Sequence, residues 1–305
     1  MSRWLLIITI ILLPPGVAAQ LEPLSNSYLL NTLAINPAYA GNRDALSMTL
    51  QHRNQWTGFD GAPKTTTLAM HAPLRKEQVG LGLLAMNDRT GITSSTVISG
   101  NFAYRILMDE GVLAFGLGAG LSTYRNNWDE LIAIDLDDNL LMGNSSRYRQ
   151  LNFSLGAYYS NDRLFLGVSI PMFLSHSFNS SSGNYKLVND YQQYNYFING
   201  GYLFSLSSRW KLLPSSMIRY SPAANLQVDL NSFFIYDDRI WFGVSYRSNK
   251  SLVGHLLYQA NNQLAVGYSY DLGFGKIGGY MGGSHEITLR YDFRYLIDVI
   301  DPRYF

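Results

Sequence analysis

Three adjacent residues near the C-terminus have the side-chain types of a hydrolytic triad: Ser284, His285 and Glu286. A serine hydrolase needs a histidine within hydrogen-bonding distance of its nucleophile, and an acid that holds this histidine in place. On a β-strand, however, adjacent side chains point to opposite faces, so His285 would face away from both of its neighbours. The other histidines lie outside any Gly-x-Ser-x-Gly or comparable nucleophile setting: His52, His71, His176 and His255. An enzymatic function is therefore the weakest hypothesis, and no catalytic residue is predicted.

Cofactor and metal sites are likewise not predicted. Gly116, Gly118 and Gly120 resemble a dinucleotide-binding fingerprint only weakly, because they lie inside a predicted strand and the third spacing is wrong. The acidic run at 135–139 could offer oxygens to calcium, but it lacks the glycine and the terminal glutamate of an EF-hand loop. The chain has no cysteine, which excludes disulfides and thiolate metal ligands. We expect close packing or a narrow lumen face at the glycines, and a solvated loop at the acidic run.

Residues 1–19 have the pattern of an export signal. Arg3 provides a positive start, residues 4–13 form an apolar run too short to span a bilayer, and two prolines end that run. Small residues at 17–19 offer a cleavage position before Gln20. The sequence thus predicts an exported protein whose first 19 residues are a signal peptide.

Composition indicates a membrane protein and not a nucleic-acid-binding one. Without Arg3, one of 23 basic residues, positive and negative charges are equal in number, which gives no support for nucleic-acid binding. Charged residues make up only 15% of the chain and aromatic residues 14%, whereas soluble domains carry about 25% charged residues. After Gln20, no apolar stretch approaches the roughly 20 residues of a membrane helix. A closed β-barrel then remains, because lipid cannot satisfy open backbone groups.

Apolar and polar residues alternate with the period of two that a barrel strand requires. The clearest example lies near the C-terminus, where Ile287, Leu289, Tyr291 and Phe293 alternate with Glu286, Thr288, Arg290 and Asp292. Large apolar side chains would face lipid, and small or polar ones the lumen. Such segments predict an all-β, antiparallel outer-membrane barrel of about 14 strands. They span residues 44–54, 64–73, 78–87, 93–107, 111–125, 146–160, 163–172, 191–206, 209–219, 224–236, 239–248, 251–260, 263–272 and 284–294.

The connections between these segments alternate in length. Tight polar turns, as at 109–110 and 237–238, alternate with longer links, as at 126–145 and 173–190, apart from one short link near 248–250. Outer-membrane barrels have short periplasmic turns and longer external loops. We therefore expect four parts after this pattern: a signal peptide at 1–19, a periplasmic or lumenal segment at 20–43, a transmembrane barrel at 44–294 and a periplasmic tail at 295–305.

Several arginines lie in or beside the predicted strands, and at the bilayer midplane each would cost about 2–4 kcal/mol if it faced lipid. They should therefore point inward or lie near an interface, paired with acids such as Asp229 or Asp292. The arginines concerned are Arg43, Arg53, Arg105, Arg247, Arg290 and Arg294.

Short motifs surround the first predicted strand. Asn36, Pro37, Tyr39 and Gly41 belong to N-P-A-Y-A-G; Arg53, Trp56 and Gly58 belong to R-x-Q-W-x-G; Pro63 and Thr65 belong to G-x-P-x-T. By themselves they indicate a turn entering the barrel and, at Trp56, an interfacial anchor. Together with G-S-H-E-I at 283–287, and over essentially the whole mature chain, they resemble the PorP/SprF family. These are outer-membrane proteins associated with the type IX secretion and gliding machinery of Bacteroidetes.

The resemblance implies a non-enzymatic barrel without a cofactor. It implies two protein partners, an exported adhesin-like cargo held at the cell surface and a periplasmic lipoprotein of the secretion apparatus. The nine motif residues are expected to be signature positions that are mostly structural. From the strand pattern alone, a passive channel or small-molecule transporter remains the alternative, because a fold does not determine a function.

Overall fold

The computed structural model describes residues 25–74, 77–127, 147–173, 175–179, 184–188, 194–222, 224–274 and 282–293. The expected signal peptide at 1–19, the tail at 295–305, Arg294 and the acidic run at 135–139 lie outside these residues. Within them, no helix is long and apolar enough to span a membrane. Short 3₁₀ helices precede the first strand: η1 (Tyr28–Leu30), η2 (Thr32–Ala34) and η3 (Pro37–Tyr39).

The described strands form one large antiparallel sheet and a separate hairpin. In chain order they are β1 (Leu46–Asn54), β2 (Lys64–Pro73), β3 (Val79–Thr90), β4 (Thr93–Met108), β5 (Gly111–Asn126), β6 (Arg147–Ser160), β7 (Leu164–Ile170), β8 (Ser175–Asn179), β9 (Asn184–Val188), β10 (Tyr196–Tyr202), β11 (Phe204–Ser205), β12 (Trp210–Ser221), β13 (Ala224–Tyr236), β14 (Ile240–Arg247), β15 (Ser251–Gln259), β16 (Leu264–Gly273) and β17 (Ser284–Phe293). Among these described strands, β8 and β9 stand apart, as a hairpin in the link between β7 and β10 that the sequence pattern did not predict.

Two sets of strand pairings make the sheet a closed barrel. The first strand pairs with the last, from Leu46 opposite Phe293 to Asn54 opposite His285. On the other side, β10 pairs with both β7 and β12, and β11 continues β10 along the same partner. Counting β10 and β11 as one interrupted strand, the described residues form a closed barrel of 14 strands. The predicted outer-membrane barrel is confirmed.

The two faces of each strand separate as the alternation predicts. On β17, Ile287 is 56% exposed on the outside, whereas Glu286 is 1% exposed in the lumen. Apolar residues on the outside and polar residues within are the reverse of a soluble protein, because the surrounding solvent is lipid. The outer face also carries Leu117, Leu166, Ile198, Leu230, Phe234 and Val244.

The lumen is not polar throughout, however. We call the end with the tight turns at 109–110 and 237–239 the short-turn end, and the end with the links at 55–63 and 171–195 the long-loop end. Outer-membrane barrels usually have short periplasmic turns and long external loops, so we expect the former end to be periplasmic and the latter external. Near the short-turn end, inward-facing apolar side chains form a buried core: Phe165, Leu203, Leu213, Phe233, Ile235, Trp241 and Leu257. These apolar side chains pack against one another inside this end of the barrel, as side chains do in the core of a soluble protein.

Candidate functional site

Residues 25–43, here called the lumenal segment, lie inside the barrel, and their first part is held at the long-loop end. The buried carboxylate of Glu286 accepts hydrogen bonds from Ser25 Oγ at 2.8 Å, Asn26 N at 2.7 Å and Ser27 N at 2.9 Å. Arg247 Nη1 donates to Asn26 Oδ1 at 2.8 Å. Bonds to an ionised carboxylate are stronger than neutral ones. The segment is thus anchored to β14 and β17.

From this anchor the lumenal segment crosses the barrel. Asn231 Nδ2 of β13 donates to the Tyr28 hydroxyl at 2.5 Å, and Asn31 Nδ2 donates to Gln51 Oε1 of β1 at 2.9 Å. Further along, Ser169 of β7 donates its hydroxyl to the carbonyl of Ile35 at 2.7 Å. Because these partners lie on strands around the whole circumference, the segment spans the lumen from wall to wall.

The N-P-A-Y-A-G motif forms the seat of the segment on the opposite wall. Asn36 Oδ1 accepts from Ala38 N at 3.0 Å and so caps η3, where Pro37 occupies the first position. Asn36 Nδ2 donates to the carbonyls of Ala157 at 3.0 Å and Val168 at 3.3 Å. One side chain therefore fixes the turn and docks it on β6 and β7.

Strand glycines make this docking possible. A Cβ at Gly116 would overlap the backbone of Pro37 and Ala38, and one at Gly156 would overlap Asn36 Oδ1. The close packing expected for Gly116 is thus confirmed, and its partner is the lumenal segment. Larger residues at these inward positions would push the segment away from the wall.

The segment leaves the lumen at the short-turn end. Gly41 has a φ of +74°, and a Cβ there would lie 2.6 Å from Gly80 Cα, so only glycine fits this position without strain. Its N–H donates to His71 Nδ1 at 3.3 Å, and the ring of Tyr39 packs edge-on against His71 at 5.3 Å and Tyr158 at 5.4 Å. These contacts direct the chain into β1.

Ion pairs line the inner wall beside the segment. Arg247 Nε lies 3.3 Å from Asp229 Oδ2, and Arg43 Nη1 lies 3.3 Å from Asp292 Oδ2. The predicted pairing of arginines with these two acids is therefore confirmed. Arg105 differs, because its Nη1 donates to the backbone carbonyl of Glu77 at 2.9 Å. Removing one member of a buried ion pair costs about 3–5 kcal/mol, so these pairs are sensitive to mutation.

Above the lumenal segment lies a cavity that opens toward the long-loop end, here called the outward cavity. Its volume is about 290 Å³, at the lower limit of typical ligand sites. Its floor includes Leu33 and Ile35 of the segment, and Leu84 and Met86 of β3 and Val97 of β4 are apolar members of its wall. Hydroxyl and amide groups, such as those of Ser154 and Asn101, interrupt the apolar surface.

The signature residues predicted from the sequence fall into three places. Asn36, Pro37, Arg53 and Thr65 line the outward cavity. Within it, Arg53 Nη2 contacts Asp271 Oδ2 at 3.1 Å, and Thr65 Oγ1 donates to Asp88 Oδ1 at 2.6 Å. Tyr39 and Gly41 lie below, in the buried part of the segment, and Trp56, Gly58 and Pro63 lie in the first long loop.

The first long loop is joined to the start of β17. Trp56, at a φ of 45°, donates its N–H to Ser284 Oγ at 3.2 Å. Thr57 N and Oγ1 both donate to the carbonyl of Gly283, at 3.1 and 3.0 Å. The R-x-Q-W-x-G motif and the G-S-H-E-I motif therefore meet at the seam between the first and last strands. The indole of Trp56 remains 40% exposed.

The residues that resemble a triad do not form one. Ser284 and Glu286 point into the lumen, whereas His285 lies on the other face, where its Nδ1 is 2.6 Å from the Tyr268 hydroxyl. Glu286 instead binds the backbone of the lumenal segment.

Sequence reasoning missed the residues that hold the lumenal segment in the barrel. Arg247 was predicted to pair with an acid of the wall and Glu286 was considered as part of a triad-like run, but neither was predicted to bind the segment, and Gly80 and Gly156 were not predicted to contact it. A signal was present, because glycine at inward-facing strand positions often marks a close backbone approach. Its partner could not be identified without the tertiary structure.

Solved outer-membrane proteins are similar to the chain in fold. The toluene transporter TodX of Pseudomonas putida matches with a TM-score of 0.50 and 9% identity, over 87% of this chain and 94% of that chain. Omp33 of Acinetobacter baumannii matches with a TM-score of 0.47 and 7% identity, over 82% and 99%. A FadL homologue of Pseudomonas aeruginosa matches with a TM-score of 0.47 and 11% identity, over 91% and 96%. No curated protein matches the chain significantly.

A family model gives a more specific result. The model for "Type IX secretion system membrane protein PorP/SprF" matches residues 17–291 and so covers both the lumenal segment and nearly the whole barrel. The chain is an outer-membrane β-barrel, and it belongs to the PorP/SprF family of type IX secretion system membrane proteins.

Proposed function

We propose that this barrel is a non-conducting binding protein of the type IX secretion apparatus, which holds an exported adhesin-like protein at the cell surface. The observation that carries the proposal is the lumenal segment, which crosses the barrel. Glu286 of one wall binds its first part, and its own Asn36 donates to a carbonyl of the opposite wall. A barrel built for diffusion keeps a water-filled lumen. Here the lumen is occupied by the protein's own chain, and the outward cavity lies above it on the long-loop side.

The two ends of the barrel suit two different partners. The long-loop end offers an irregular surface with exposed aromatic side chains at Trp56 and Phe59, and loops on a rigid scaffold commonly carry binding functions. The short-turn end would face the periplasm and a lipoprotein of the secretion apparatus. Under this proposal, cargo binds at the long-loop end and the secretion apparatus binds at the short-turn end.

The signature positions divide accordingly. We assign a structural role to Asn36, Pro37, Tyr39 and Gly41, because they seat the lumenal segment. Arg53 and Thr65 belong with them, since both are engaged with acids of the barrel wall. Trp56, Gly58 and Pro63 lie in the first long loop, where contact with an external partner is sterically feasible.

A passive channel or small-molecule transporter is the second candidate. The mostly apolar outward cavity favours it, since apolar pockets with a few polar groups commonly hold small ligands. Passage of a small molecule through the barrel would require the lumenal segment to move, because that segment lies across the lumen.

Three measurements separate the binding function, the channel function and an enzymatic function. Deletion of the gene in the native bacterium should remove specific proteins from the surface-biotinylated fraction, and re-expression of the chain should restore them. In planar bilayers, the purified barrel should give no stepwise current beside an open porin as positive control. Unchanged surface proteins after deletion would contradict the binding function, robust current would favour the channel, and lipid hydrolysis by the purified protein would indicate an enzyme.

A further inference from the structure

Two buried asparagines in the wall of the outward cavity each have one side-chain atom without a hydrogen-bond partner among the described residues. Asn101 on β4 is 6% exposed and its Nδ2 is unpaired; Asn152 on β6 is 7% exposed and its Oδ1 is unpaired. Asn152 Nδ2, by contrast, donates to Ser122 Oγ. Buried polar groups are almost always paired, so a donor and an acceptor in one cavity suit a ligand that offers both.

The two asparagines lie on the strands either side of β5. Asn101 lies opposite Gly118, and Asn152 lies opposite Gly120. Two residues before Gly118, Gly116 already accommodates the backbone of Pro37 and Ala38. Gly118 lines the outward cavity, and a Cβ there would overlap Ser154 Oγ and lie 2.6 Å from Asn101 Oδ1. Polar side chains therefore cover this glycine, beside the place where the same strand holds polypeptide backbone.

The charges around the cavity are already engaged. Arg53 contacts Asp271, Asp88 accepts from Thr65, and Glu286 is bound to the lumenal segment. A charged ligand would thus find no free counter-charge among these groups. Leu84, Met86 and Val97 add apolar side chains to the wall. The cavity suits an uncharged ligand with apolar groups and with one donor and one acceptor.

We propose that the outward cavity binds an extended, uncharged segment of the exported protein. A backbone carbonyl of that segment accepts from Asn101 Nδ2, and a backbone N–H donates to Asn152 Oδ1. An aliphatic or aromatic side chain packs against Leu84 and Val97. A plain hydrocarbon would leave both atoms unpaired, whereas a peptide backbone offers both a carbonyl acceptor and an N–H donor. This inference rests on the proposed function and adds the place and chemistry of cargo recognition.

Filling the cavity tests the inference, with a matched control on the same strand. Ser99 lines the cavity and the adjacent Ile98 is 54% exposed on the lipid face, so Ser99→Trp blocks the site and Ile98→Trp does not. The readout is the surface-biotinylated amount of the protein that disappears on gene deletion. Ser99→Trp should lower it at least about tenfold, a change equivalent to about 1.4 kcal/mol of binding free energy. Heat-modifiable gel migration and absence of bilayer current verify that barrel and lumenal segment are intact.

A second variant removes the hydrogen bonds without adding bulk. Asn101→Ala combined with Asn152→Ala should also reduce the displayed protein. A benzoylphenylalanine photo-crosslinker at Val97, which lines the cavity, should form an adduct containing peptides of the same exported protein, and the crosslinker at Ile98 should not.

Each outcome leads to one conclusion. If gene deletion leaves surface proteins unchanged, the proposed function itself fails. If deletion removes them but both cavity variants display normal amounts, cargo binds elsewhere and this inference is wrong. The inference is also overturned if the crosslinker at Val97 captures only a small molecule, or if it captures nothing.

Discussion

Replacing Glu286 with alanine should release the start of the lumenal segment. The carboxylate accepts three hydrogen bonds from Ser25, Asn26 and Ser27, two of them from backbone N–H groups. Ser27 N also donates to Ser25 Oγ at 3.0 Å, so Asn26 N is the backbone donor that loses its partner. Hydrogen bonds to a charged group contribute about 1.5–3 kcal/mol each, so the loss of the carboxylate gives about 3 kcal/mol at a conservative value. At 1.36 kcal/mol for each factor of ten, the equilibrium for detachment should shift on the order of 100-fold.

The chain suits a thiol-accessibility assay, because it has no native cysteine. Thr32 lies in η2, is 1% exposed and is close to cysteine in size. In purified barrels, Thr32→Cys should react slowly with a bulky maleimide, since the thiol is reached only when the segment detaches. Adding Glu286→Ala should raise the labelling rate on the order of 100-fold. Glu286→Gln keeps one acceptor oxygen and serves as the matched control, with an intermediate rate.

Two results would refute this reasoning. Equal labelling rates of Thr32→Cys with and without the added Glu286→Ala substitution would show that the carboxylate does not hold the segment. Fast labelling of Thr32→Cys alone would show that the segment is not enclosed in the barrel.

Three further predictions concern the seat and the lipid face. Gly116→Val should displace the lumenal segment, because its side chain would overlap Ala38, whereas Gly100→Val meets no neighbouring atom; stepwise bilayer current should appear only for the former. Asn36→Ala removes two bonds to strand carbonyls and should lower the free energy of unfolding by about 2–4 kcal/mol in a urea titration in lipid vesicles; an unchanged midpoint would contradict the docking role. Leu230→Arg puts a charge on the lipid face near the middle of β13 and should cost about 2–4 kcal/mol in the same titration. Leu226→Arg, nearer the strand end, should cost less, and equal costs would argue against the membrane placement.

Strand positions could be predicted closely because their signal is local. The boundaries predicted for β2 and β13 agree with the observed Lys64–Pro73 and Ala224–Tyr236, since side-chain direction alternates with every residue. The interruption at Leu203 and the hairpin β8–β9 escaped prediction. The alternation also failed near the short-turn end, where Phe233 and Ile235 face inward, because a closed barrel end can bury apolar side chains on its inner face as well.

The sequence by itself determined the class of the protein: strands that alternate large apolar with small or polar residues, no membrane helix, and charges that must avoid lipid. It also identified the motif at 36–41, but as a turn. Only the tertiary structure decided what that motif does, because Asn36 meets Ala157 and Val168, which are more than a hundred residues away in the chain. Which wall the lumenal segment touches depends on how the barrel closes and on the register of every strand pair. A pattern that repeats every second residue carries no information about such distant contacts.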